Sequence, residues 1–208
     1  MTAVFVAGLV AGYGIAIPIG AVGVYLVAVT ARTGWRTGAG AALGIATADG
    51  LYALIAVLGG AALVPLLTPV MAPLRWASAA LLVFLAARGA LTALRTHRAR
   101  ESATSDGGGK PLTPSRAYLT FLGLTVLNPM TVIYFAALVL ATGPSTPPTT
   151  TARAAFVLAA TLASASWQLF LATGGALLGR GPAGPRGRLA TALLSSALIT
   201  GLAITLVV

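Results

Sequence analysis

Polar residues are so sparse along this chain that the apolar runs between them define its elements. Such runs occupy roughly residues 3–31, 37–64, 73–94, 117–142, 153–179 and 188–208. A helix needs about 20 apolar residues to cross a bilayer, and each of these runs reaches or approaches that length. Several exceed it, which allows tilt or a broken helix. The pattern predicts an all-α membrane protein with six transmembrane helices. Most connections are short. The exception is 95–116 (RTHRARESATSDGGGKPLTPSR), polar, Gly-rich and basic, which reads as a solvated, flexible linker. It divides the chain into a first three-helix repeat, 1–94, and a second, 117–208. With three helices in each, the two repeats must be oppositely oriented. The N-terminal run has no basic stretch before it and outlasts a signal-peptide core, so it is expected to stay as a spanning helix.

Two of the six runs are interrupted. Pro18 and Gly20 fall in the middle of the first, and Asn128 and Pro129 fall in the fourth. Proline removes a backbone hydrogen bond and clashes with the preceding turn. Inside a membrane the freed polar groups need a partner in protein, water or ligand. The spacing Gly12…Pro18 returns as Gly123…Pro129, and Gly59-Gly60-Ala61 returns as Gly174-Gly175-Ala176 in the same order. Paired interruptions at corresponding positions point to a midplane binding site in inverted-repeat transporters. The plainer reading of each is a proline kink, with Asn128 bonded to a neighbouring helix.

Composition removes whole classes of function. The chain is 58% hydrophobic and 8% charged, where soluble domains carry about 25% charged residues, so a water-soluble fold is excluded. No cysteine is present, which rules out disulfides and thiolate metal sites. The net charge of +10 does not indicate nucleic acid, because the basic residues cluster at the ends of apolar runs. Ten of the thirteen lie in the 32–36 turn, the 95–116 linker and the 180–188 turn, all on one side of the predicted layout. The positive-inside rule makes that side cytoplasmic and sends both termini to the outside. Arg88 sits inside its span, either snorkelling to the interface or pairing with Asp49.

Asp49 is the one acid within the predicted spans; Glu101 and Asp106 lie in the linker. A carboxylate at mid-bilayer costs about 2.5–3.5 kcal/mol on insertion scales and is functional by default. It can serve an ammonium group, a metal ion or a coupling proton, or it can be a structural partner. Thr47 is a candidate minor ligand beside it, while Tyr52 reads as packing. Trp167, next to Ser166 and Gln168, reads as core or pathway lining. Trp35 and Trp76 suit interfacial anchoring. Gly8/Gly12, Gly40/Gly44 and Gly175/Gly179 have the small-xxx-small spacing that lets helices approach closely.

With these residues in place the chain resembles the LysE/RhtB family of bacterial amino-acid exporters over nearly its whole length. The family's PGP-type motif falls on Pro18-Ile19-Gly20, its Gly-Asp-like element on Ala48-Asp49, and its Asn-Pro-Lys-type motif on Asn128-Pro129-Met130. The second Pro of the first motif and the Lys of the last are missing here. The resemblance implies secondary export of amino acids or similar small metabolites across the plasma membrane, driven by an ion gradient such as protons. It also implies a lipid-embedded chain that can form homodimers.

The expected ligand and ion residues are therefore Asp49, Asn128, Pro18, Gly20, Pro129 and Thr47, with no cofactor and no nucleic-acid partner. A divalent-metal exporter is the alternative within transport, but metal ligation wants Cys, His or several carboxylates, and the spans offer Asp49 alone. An intramembrane protease is excluded, because no span holds a His and H-E-x-x-H is absent. A non-transporting assembly subunit remains an alternative, though a scaffold gains nothing from paired helix breaks.

Overall fold

The computed structural model describes residues 1–18, 20–59, 69, 71–101, 112–128, 131, 134, 149–180 and 185–204. Among them are α1 (Thr2–Ala16), α2 (Ala21–Thr33), α3 (Trp35–Gly59), α4 (Met71–Glu101), α5 (Pro114–Val126), α6 (Thr150–Arg180) and α7 (Pro185–Ile204), and no strand. Among the described residues, three helical stretches are long and apolar enough to cross a membrane: α3, Trp76–Arg95 within α4, and Thr150–Gly179 within α6. The bent pair α1 and α2 makes a fourth if taken as one span.

The first apolar run is broken where its proline predicts. The amide of Ile17 still reaches the Tyr13 carbonyl at 2.9 Å, but Pro18 has no N–H to continue the ladder. The chain restarts as α2 at an angle of 78° to α1. Gly20 is the N-cap of α2, extended at φ −88° and ψ −172°.

α5 starts on a Thr113 cap whose hydroxyl accepts from the Arg116 amide, with Pro114 in the first turn where a missing N–H is harmless. It ends by tightening. The Leu127 amide bonds the Gly123 carbonyl at 3.0 Å, and the Asn128 amide bonds the Thr125 carbonyl at 3.1 Å. Two carbonyls released at this end are taken up by side chains. The Tyr52 hydroxyl donates to Val126 and the Ser78 hydroxyl donates to Leu127. Tyr52, read from sequence as packing, thus satisfies the backbone of a broken helix.

One boundary differs from expectation. α4 runs through Glu101, into the segment expected to be linker. The reason is local: 90–101 contains no Gly or Pro, and Ala, Leu and Arg are strong helix formers. The breakers come only with Gly107–Gly109 and Pro111.

α6 is the axis of the assembly, packing along α1, α2 and α3, while α3 also packs on α5 and α4 on α7. Large side chains point outward: Trp76, Phe84, Phe170, Leu177 and Leu178 are all exposed, while the buried set is dominated by alanine. That is the reverse of a soluble core and fits a lipid-facing surface, since lipid gives helices no hydrophobic reason to hide leucine. Each predicted glycine pair sits at a helix crossing. Gly8 and Gly12 meet Phe156 and Ala160 of α6, Gly40 and Gly44 meet Pro114 and Tyr118 of α5, and Gly175 and Gly179 meet Val27 and Ala31 of α2. A Cβ on Gly12 would stand 2.8 Å from the Ala160 Cα, closer than real atoms approach. The aligned Gly123 has open space instead, so that part of the internal echo does not extend to packing.

Candidate functional site

A cavity of about 270 Å³ opens where the two broken segments face each other. Its wall includes Pro18 and Gly20 from the first break, Asp49 from α3, Thr125 and Asn128 from the end of α5, and Gln168 from α6. Thr131 and Tyr134 complete the polar part, with Ile15, Val22, Ile45, Leu82 and Leu171 as the apolar part. Of the residues singled out from sequence, the structure brings Asp49, Asn128, Pro18 and Gly20 to this one cavity. Pro129 lies outside the described residues. Thr47 is placed elsewhere. Its exposed hydroxyl donates to the Leu43 carbonyl at 2.8 Å and accepts from Tyr118 at 3.2 Å. Two positions along a helix turn a side chain by about 200°, so Thr47 and Asp49 face opposite ways.

Asp49 is 6% exposed. One carboxylate oxygen accepts a 2.6 Å hydrogen bond from the Ser164 hydroxyl of α6, and Ser164 itself is fully buried. The next residue makes that contact possible. Gly50 lies against Thr161, where a Cβ would be 3.2 Å from the threonine methyl and closer still to its hydroxyl. α3 and α6 can therefore approach closely enough for a short acid to reach a short alcohol. Arg88 is exposed on α4.

The first turn of α2 lines the cavity with Gly20, Ala21, Val22 and Gly23. Its cap is a glycine with no side-chain hydrogen bond, and the first amides of a helix have no acceptor within it. The Val24 amide is the first to close back, on the Gly20 carbonyl at 3.1 Å. The helix dipole adds partial positive charge at this end. A Cβ on Gly20 would meet nothing within 4 Å, and its extended backbone suits any residue. Here glycine leaves room in the cavity and adds no capping side chain of its own.

Sequence reasoning missed Ser164 as a partner of the acid and passed over Gln168 as a neighbour of Trp167. Gln168 is 6% exposed, and its Oε1 is buried without a hydrogen-bond partner. Trp167 stacks at a tilt on Phe170, with ring centroids 5.5 Å apart, and is not in the cavity wall. A polar residue placed four after Ser164 on an unbroken helix was the available signal.

A lipid-facing helical assembly with a polar cavity between broken helices is the architecture of a membrane transport protein. The chain belongs to the LysE type translocator family, which it matches over residues 14–208. No curated protein and no solved structure matched it. Family membership places the chain among membrane translocators.

Proposed function

We propose that this protein is a secondary active exporter of amino acids or similar small metabolites across the plasma membrane, coupled to protons through Asp49. The observation that carries the reading is the meeting of two opposite poles in one cavity. The glycine-capped N-terminus of α2 suits a carboxylate, and the buried acid Asp49 suits an ammonium group or a proton. A cavity of about 270 Å³ is of the size that holds one small zwitterion. With a single acid in its wall, neutral amino acids fit better than basic ones, which need a second acid for the side chain. In this reading the chain forms six spans as two inverted repeats, with 95–116 cytoplasmic and both termini outside. Homodimers belong to the same reading.

Metabolite export tests it. Cells overexpressing the protein and empty-vector cells are loaded with single amino acids, and medium is compared with cytosol. Overexpression should raise the medium-to-cytosol ratio for at least one neutral amino acid. Asp49→Asn keeps the shape, cannot ionise, and should insert normally while losing net export. Full gradient-driven export by Asp49→Asn would refute the role given to the acid.

A further inference from the structure

The buried wall of the cavity contains an acceptor that no described residue uses. Gln168 Oε1 has no hydrogen-bond partner although its residue is more than nine-tenths buried. Leaving a buried acceptor empty destabilises the fold, so such a group is retained only against some gain. Its position says what the gain is. Ser164, which holds the Asp49 carboxylate at 2.6 Å, is four residues earlier on the same helix. Residues four apart lie one above the other with Cβ atoms about 5–6 Å apart. Asp49, held from α6 by Ser164, and Gln168, one turn further along that helix, thus both belong to the wall of one cavity, with the amide-bearing end of α2 in the same cavity.

We propose that Gln168 is a substrate-binding residue whose Oε1 accepts an N–H of the substrate's ammonium group beside Asp49, and that it makes the protein selective for primary amines over N-methylated ones. The inference rests on the proposed export function. A charge alone attracts an ammonium and a trimethylammonium alike, but an oriented acceptor rewards only a group that carries N–H. A quaternary nitrogen leaves Gln168 Oε1 unpaired and crowds it with methyl groups. Sites built around a hydrogen bond reject the analogue that lacks it far more strongly than apolar pockets reject a missing methylene.

The test is counterflow in proteoliposomes, using alanine, valine, leucine and threonine and the N,N,N-trimethyl betaine of each as competitor. The parental protein should favour each amino acid over its betaine by tenfold or more. Gln168→Met keeps the length and apolar bulk and removes the acceptor. It should shrink that preference by about tenfold, the effect of one hydrogen bond to a charged group, chiefly by weakening amino-acid binding. Unchanged preference in Gln168→Met overturns the inference and leaves the export reading intact. If Gln168→Met does not insert, Gln168→Glu keeps an acceptor at the same reach and adds charge. It should preserve or widen the preference, and a narrowed one overturns the inference. If the parent exchanges none of the four amino acids, the export reading for neutral amino acids and this inference fall together.

Discussion

At the scale of single residues, the site depends on what holds the acid in place. The Ser164 hydroxyl is a buried donor to Asp49, and hydrogen bonds to charged groups contribute about 1.5–3 kcal/mol. Ser164→Ala should therefore weaken apparent substrate affinity about tenfold or more in counterflow, without preventing insertion. Ser166→Ala is the matched control. It removes a hydroxyl from the same helix that bonds the exposed Tyr13 at 2.8 Å, outside the cavity, and should leave affinity unchanged. Equal behaviour of the two variants would detach the acid from its serine. Asp49 was legible in the sequence because a carboxylate among apolar residues is expensive and therefore conspicuous. Ser164 and Gln168 were not, because uncharged polar residues cost less on a membrane helix than a carboxylate does and so stand out less. Only the rotation of α6 against α3 says that they point inward. Thr47 shows the converse: proximity in sequence suggested a ligand, and helical rotation turned it away.

At the scale of elements, α1 offers an internal comparison. Gly12 and Gly14 are neighbours in sequence, yet a Cβ on the first would strike α6 and a Cβ on the second would meet nothing within 4 Å. Overpacking a close contact costs about 1–3 kcal/mol. Gly12→Leu should lower the melting temperature of the detergent-purified protein clearly, and Gly14→Leu should leave it within error. Comparable losses in both would mean that α1 does not pack on α6 through this face. Close-packing glycines were readable from their spacing, since the i, i+4 pattern is itself the geometry of a crossing. The ends of helices were less readable. Around Arg95 the charged residues suggested solvent and a linker, but Arg and Ala also favour helix, and no breaker comes before Gly107.

At the scale of the whole molecule, the basic residues make a prediction that cysteine labelling can check, since the chain has no cysteine of its own. If 95–116 is cytoplasmic, a single Cys at Ser105 should resist an impermeant thiol reagent in intact cells, and one at Thr149 should react. Reversed labelling would invert the proposed orientation. The all-helical, lipid-facing character followed directly from the hydropathy pattern. The cavity did not, because it exists only where segments far apart in sequence, the first break, Asp49, the end of α5 and Gln168, come together.

The crossings of α6 with α1 and α2 have one more consequence. They are made largely of backbone and methyl groups, Gly8 and Gly12 on Phe156 and Ala160, Gly175 and Gly179 on Val27 and Ala31. Such a contact has few rotamers to rearrange and little side-chain entropy to exchange. Two helices that meet in this way are close but smooth. α1 and α2 are therefore seated on α6 at little cost in ordered rotamers, and the longer side chains are left to the cavity wall.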